Sequence, residues 1–415
     1  MRRLGALLGT LGAVACVSVA GAAAPGPASD VRAVAQHLES SHPNLFHAVP
    51  RQRFRAAVTA LEERADELAP DQLLVELMRL GALPGVRDGH GGIYPLDSSH
   101  ARELHLLPIR LYEFPEGVHV VAEVGRHGLV GDRLVAIAGV PIAEVLRRVR
   151  PLVPHDNRWS RDARAMQWLL VTEVLHGLGV TDTAGRQRLT FERRGGGRRE
   201  IELAPIGRER WSAAFPDFWN PLVVQGLPWR AAPAYLAERN RPWHTALLDR
   251  GRAAYAAYNV TQSSSELARE LGRLAARPGV RRVILDLRLN PGGDVFTYAP
   301  LLTVLRSPKV NRPGRLYVLI ARSTFSAAGL LAAELERLTR AVFVGEPTGS
   351  APNLYADPAA LRLPANGWNF MAATRYWQKS TANDPRLALR PDLPVALTAA
   401  DFFAGRDPVL ARVLR

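Results

Sequence analysis

Ser326 stands where a serine can become a nucleophile. The run "LYVLIA" (316–321) reads as a buried strand, and "STFSAAG" (323–329) leads from it into the helical run "LLAAELERL". A hydroxyl at the mouth of a helix lies near the positive end of the helix dipole. The amide of the next residue, Ala327, would point at the oxyanion that develops on an attacked carbonyl. A second amide could come from Gly292 or Gly293. They close the neighbouring strand "VILDLRL" in Asn290-Pro291-Gly292-Gly293 and, lacking Cβ, let backbone approach a substrate. The same residues admit a plainer reading. A serine after a strand is more often a helix N-cap, Ser323 and Thr324 compete for that place, and Asn-Pro-Gly-Gly is commonly just a turn. His37, His42 and His47 lack the spacing of metal ligands on one helix face and have no paired carboxylates, so neither a metal nor another cofactor is expected.

The elements that must position these residues can be read from periodicity. Apolar residues at three- and four-residue spacing (Val34, Leu38; Phe54, Val58, Leu61; Leu73, Leu74, Leu77, Leu80) predict three helices between 31 and 80. A Gly-rich bend, 85–92, follows them. From 105 to 145 the period becomes two. "LPIRLYEF" and "GVHVVAEV" predict a hairpin, and "GDRLVAIAGVPIAEVLRRV" predicts strand, turn at Gly139, strand and helix. Residues 160–178 read as helical, and a second hairpin turns at Gly195-Gly196-Gly197. The Trp- and Pro-rich stretch 206–250 reads as irregular. From 251 onward strands and helices alternate, which predicts a largely parallel sheet with ligands at the carboxyl ends of its strands. The resulting division is a leader 1–24, a helical N-terminal domain 25–95, a small β-rich module with a helical insertion 96–205, a connector 206–250 and an α/β core with a C-terminal extension 251–415.

The chain has 415 residues, 47% of them hydrophobic and 22% charged, a composition that excludes full-length disorder and allows two or three domains. The formal charge of +14 invites a nucleic-acid reading. Nearly all of it is arginine scattered among acids, only Lys309 and Lys379 are lysines, and no nucleic-acid module accompanies them, so no nucleic-acid partner is expected. Arg2 and Arg3, the apolar run 4–20 and the small residues before Pro25 predict an export signal, with a periplasmic or extracellular destination. Its removal leaves no segment long and apolar enough to cross a bilayer, lowers the charge to +12 and takes away Cys16, the only cysteine. Ala13-Val14-Ala15-Cys16 is a poor lipidation box inside an apolar run that continues beyond it. A free exported chain is therefore expected over one lipid-anchored through Cys16.

"VILDLRLNPGGD" followed by "LYVLIARSTFSAAGLLAAELERLTRAVFVGEPTG" resembles the core of the tail-specific (C-terminal processing) serine peptidases, a superfamily that includes tricorn protease and the repeats of interphotoreceptor retinoid-binding protein. "HPNLF" and "VRDGHGGIY" are similar to the N-terminal part of the retinoid-binding-protein-like branch. "LVGDRLVAIAGVPIAEVL" resembles a PDZ-like element, and "RPDLPVAL" and "GRDPVLARVL" resemble the family's C-terminal end. The likeness spans most of the chain after the leader and is vaguest over 150–245. It implies an α/β fold with a crotonase/protease-like ββα core, a helical N-terminal domain and a small PDZ-like β module. By resemblance, Ser326 matches the family's nucleophile, and Gly292, Gly293 and Ala327 match its oxyanion donors. The processing peptidases activate their serine with a lysine, but the matching position falls near Ala351, so a Ser-Lys dyad is not supported. Tricorn-like members use a histidine, and His90 matches it. Asp384 matches the acid, with Asp392 and Asp357 as rivals. The implied activity is an exported serine peptidase that hydrolyses peptides or unfolded protein tails. The alternative is a non-catalytic module binding an apolar ligand or peptide, like the retinoid-binding repeats.

Overall fold

The computed structural model describes residues 25–94, 103–217, 220–222, 227, 229 and 232–415; the leader expected at 1–24 lies outside them. Three N-terminal helices form as α1 (Pro27–Ser41), α2 (Arg51–Glu62) and α3 (Pro70–Gly81). Proline occupies the first turn of α1 and α3, where its missing N–H leaves no helical bond unmade. The apolar spacing brings Val34, Leu38, Phe54, Leu61, Leu74 and Leu77 into one buried cluster. The Gly-rich bend after α3 runs into a two-residue strand, β1 (Gly92–Ile93).

Both hairpins of the β-rich module form where alternation predicts them. The chain runs through β2 (His105–Leu106), β3 (Ile109–Phe114), β4 (Gly117–Glu123), β5 (Arg133–Ile137), β6 (Val140–Pro141), α4 (Ile142–Val149), α5 (Arg158–Trp168), α6 (Thr172–Gly177), β7 (Gln187–Glu192), β8 (Arg198–Leu203), β9 (Ile206–Gly207) and α7 (Arg208–Ala214). The main sheet has the order β3-β4-β5-β7-β8, with β6 beside β5. Its apolar face shares a cluster with α1 to α3, through Leu111, Val120, Leu134, Leu189 and Phe191. Asn157 starts α5 by accepting the amides of Trp159 and Ser160 on its side chain.

The C-terminal half follows with α8 (Ala234–Ala237), β10 (Trp243–Leu248), β11 (Ala253–Tyr258), α9 (Ser265–Ala275), β12 (Arg282–Asp286), α10 (Ala299–Arg306), β13 (Leu316–Ile320), α11 (Ala327–Leu338), β14 (Val342–Gly345), β15 (Asn353–Arg362), β16 (Asn369–Gln378), β17 (Leu393–Pro394), α12 (Ala399–Phe403) and α13 (Pro408–Leu414). The sheet order is β10-β11-β12-β13-β14-β17. All neighbours from β11 to β17 are parallel, and β10 is antiparallel to β11. Two features differ from the sequence reading. β10 lies inside the stretch expected to be irregular; it is an edge strand, half-buried along its whole length, so its residues do not alternate. The long hairpin β15–β16 is also unforeseen, and its second strand pairs with β1 through Gly92↔Met371 and Ile93↔Phe370. That pairing joins the segment after α3 to the C-terminal half and brings the 85–92 bend to the end of the large sheet where Ser326 lies. A smaller difference lies at β12, which ends at Asp286, earlier than the expected Asn290. Buried Asp286 accepts the Arg288 amide and guanidinium, and the Asn290 amide turns back to the Leu287 carbonyl.

Candidate active site

Ser326 is the N-cap of α11 and has φ 53° and ψ −129°, in the left-handed half of backbone space that a serine rarely enters. Several contacts hold it there. Its amide donates to Ser350 Oγ at 2.6 Å, and the Phe325 amide donates to the Asn290 carbonyl at 3.1 Å. The positive φ turns the hydroxyl away from the capping role: the Ser326 side chain accepts no helical amide. Thr324, the rival reading, is fully buried and donates to the Leu287 carbonyl.

The bend 85–92 carries His90 to this serine across 236 positions of sequence. Its Nε2 lies 2.9 Å from Ser326 Oγ, and its Nδ1 lies 3.1 Å from the Tyr355 carbonyl. A carbonyl only accepts, so Nδ1 carries the proton of the neutral ring and leaves Nε2 to accept the Ser326 hydroxyl proton. Burial, reinforced by the nearby Arg164 guanidinium, pushes the imidazole pKa down to about 3; the Tyr355 carbonyl opposes this. The Phe325 ring stacks on His90 with centroids 4.9 Å apart, and Arg164 lies 4.1 Å from that ring's centroid. Arg164 also donates to the Gly89 and Pro154 carbonyls.

Gly292 and Gly293 hold the floor. A Cβ on Gly292 would lie 2.5 Å from Ser326 Cβ, and one on Gly293 would lie 2.0 Å from the Thr261 carbonyl oxygen; both residues have positive φ. The Gly292 amide, expected as an oxyanion donor, is engaged at 2.9 Å by Asn290 Oδ1, which corrects that expectation. The amides of Gly293 and Ala327 have no acceptor among the described residues. Asn290 is buried and also ties Tyr258 and Thr261, fixing where β12 hands over to this turn.

Asp384 is not brought to the ring of His90. Its carboxylate accepts from Ser380 Oγ at 2.5 Å and from the Arg386 amide and guanidinium; Arg386, with Ser380, holds its pKa well below the ordinary carboxylate range. Of the rivals, Asp392 accepts the Phe343 amide and Asp357 pairs with Arg375. Lys379 pairs with Glu334. At the position near Ala351 there is no side chain to act, but its amide donates to Asp156 Oδ2 at 3.1 Å. No sequence pattern singles out Asp156, Arg164, Ser350 or Tyr355 as part of this site. Tyr355 acts through its backbone, which no side-chain pattern can signal. Asp156 had one indirect cue, the N-capping Asn157 that follows it. Among the described residues no group of three or more His, Cys, Asp and Glu side chains is placed to hold a metal.

A narrow cleft, partly open to solvent, is lined by Pro291, Phe325, Ser323, Arg164, Met166 and Tyr112, among them the sequence neighbours of Gly292 and Ser326. His90 and Ser326 keep part of their surface accessible, while Asp156, Asn290 and Ser350 behind them are buried.

No family model matches the chain, and no curated protein is significantly similar to it. Solved structures are. Mature CPAF matches with a TM-score of 0.60 at 13% identity, over 94% of this chain and 95% of that one. Mature CPAF complexed with lactacystin matches with a TM-score of 0.59 at 14% identity, over 94% and 96%. The photosystem II D1 C-terminal processing protease matches at 14% identity over 90% and 94%, with a TM-score of 0.43. The chain thus has the mixed α/β fold of mature CPAF along nearly its whole length.

Proposed function

We propose that the protein is an exported serine peptidase that cleaves peptides or unfolded protein tails, with Ser326 as nucleophile and His90 as general base. The observation that carries this reading is the 2.9 Å contact between Ser326 Oγ and His90 Nε2, on a ring whose other nitrogen is held by a group that can only accept. Such a ring takes the hydroxyl proton as Oγ attacks the scissile carbonyl. The new C–O bond pushes the carbonyl electrons onto oxygen, and the Gly293 and Ala327 amides receive that charge. Collapse expels the amine, which takes the proton from Nε2, and leaves an acyl ester on Ser326. Water then repeats the sequence and releases the acid.

The Tyr355 carbonyl takes the orienting place that a carboxylate holds in a triad. It fixes the tautomer but brings no negative charge to the imidazolium, so this pair needs the oxyanion amides more than a full triad would. The fold shared with mature CPAF and the tail-specific resemblance of the motifs support a polypeptide substrate. The cleft bordered by Phe325 and Pro291 supports the same reading, because these two residues adjoin Ser326 and Gly292 in the chain. The leader 1–24 supports export, and no described helix is long and apolar enough to cross a membrane.

The test is turnover of an unfolded, fluorescently labelled polypeptide by the chain lacking residues 1–24. Cleavage is expected, with both Ser326→Ala and His90→Ala reducing it to background while circular dichroism stays unchanged. Tight binding of the polypeptide without cleavage would favour the non-catalytic reading.

A further inference from the structure

We propose that Asp156 is a positioning residue for the Ser326–His90 pair: its ionised carboxylate clamps the bend that carries His90 to the segment that carries Ser350, and protonation releases one side of the clamp. The inference rests on the catalytic reading above and adds a residue and a pH dependence to it.

Asp156 is fully buried at the start of α5. One carboxylate oxygen accepts the amide of Gly89, next to His90, at 2.8 Å. The other accepts the amide of Ala351, next to Ser350, at 3.1 Å, and Ser350 Oγ in turn accepts the Ser326 amide. A single side chain therefore touches the chain on both sides of the reacting pair. The surrounding backbone repeats the pattern. The Arg87 amide donates to the Asp156 carbonyl, and Asn157 Nδ2 donates to the Thr348 carbonyl at 3.1 Å. The fit at the bend is close, because a Cβ on Gly89 would lie 2.8 Å from Asp156 Oδ1 and equally close to the Phe325 ring.

An ionised carboxylate offers only acceptors, which two converging N–H groups require. A protonated carboxyl keeps one strong acceptor and presents a hydroxyl to the other amide, so one contact weakens. The charged and titratable groups that act on this carboxylate are Arg164 from α5, Asp88 from the bend and Tyr94 after β1, with His42 behind Asp88. The 348–351 segment contributes no titratable side chain. Burial is the largest influence and Asp88 adds to it, while the two amides and Arg164 oppose; the balance raises the carboxyl pKa to about 7. His90, pushed far lower, stays neutral throughout this range. A loss of activity just below neutrality would therefore report Asp156 and not the base.

The experiment measures fluorophosphonate labelling of Ser326 between pH 5 and 8. In parallel, NMR follows the His90 ring nitrogens and the Gly89 and Ala351 amides. The labelling rate is expected to rise through one ionisation with a midpoint near 7, from a lower plateau about 10- to 100-fold below the upper one. Both amides should shift with that midpoint while the His90 ring stays in its neutral Nδ1–H form. Asp156→Asn should remove this ionisation and leave a flat rate about 10- to 100-fold lower, because its Nδ2 must face one of the two amides. A His90 ring that titrates together with the rate, or an Asp156→Asn variant with the wild-type pH profile, would overturn the proposal. If Asp156→Asn does not fold, the wild-type NMR series decides alone. If Ser326 is never labelled, the catalytic reading fails, and the amide titration still tests the clamp.

Discussion

Ser326 is held in an unfavourable backbone conformation, and the residues around it exist to keep it there. Its φ of 53° costs on the order of 1–3 kcal/mol, which the Ser350 and Asn290 contacts must offset. Ser350→Ala removes the acceptor of the Ser326 amide. It should lower unfolding free energy in urea by about 1–3 kcal/mol and slow labelling of Ser326 as the hydroxyl drifts from Nε2. The His90 ring is held by a carbonyl, so Tyr355→Phe should leave turnover within about twofold of wild type. Asp384→Asn should cost less than about tenfold, against roughly 10²–10⁴-fold for loss of a general base. Turnover that collapses in Asp384→Asn while the fold stays intact would show that the carboxylate reaches the ring during the reaction.

At the scale of elements, the handover from β12 to the Gly292-Gly293 turn depends on one side chain. Buried Asn290 donates to the Tyr258 carbonyl and accepts from Thr261 Oγ and the Gly292 amide. Asn290→Ala should therefore destabilise the protein by about 2–4 kcal/mol in chemical denaturation, and its Ser326 labelling should fall even at temperatures where it remains folded. These strands were readable in the sequence because parallel strands buried on both faces are continuous apolar runs, as "VILDLRL" and "LYVLIA" are. The N-terminal helices were readable from their spacing. β10 was not, because an evenly half-buried edge carries no period. The β15–β16 hairpin was hidden although Asn366-Gly367 marks its turn, since its strands mix charged and aromatic residues on an exposed face. At the site, motif order pointed to Ser326, His90 and the glycine turn. It could not show that Gly292 gives its amide to Asn290, that a backbone carbonyl orients the histidine, or that Asp384 is occupied by Arg386. Each of these depends on which groups the finished fold brings within 3 Å, and composition does not encode that.

The whole molecule is needed to assemble the pair, because His90 arrives through β1 pairing with β16 and Ser326 through the large sheet. Two buried groups at this junction give the stability of the fold a distinctive pH dependence. His90 has a folded pKa of about 3, below its unfolded value, so its contribution is present above about 6.5 and is lost as pH falls toward 3. Asp156 has a folded pKa of about 7, above its unfolded value, so its contribution is present below about 3.8 and is lost as pH rises toward 7. Between about 4 and 6.5 the two slopes oppose and largely cancel. His90→Ala should therefore unmask a protein that loses stability as pH rises through that window, and Asp156→Asn one that gains it, each by up to about 1.4 kcal/mol per unit in urea titrations. The central claim, that this junction makes Ser326 a nucleophile activated by His90, is tested most directly by treating the chain without residues 1–24 with a fluorophosphonate and mapping the adduct by mass spectrometry. The account predicts a single adduct on Ser326, formed at least about a hundredfold more slowly in His90→Ala. An unlabelled Ser326 in the folded protein, or labelling as fast without the histidine, would contradict it.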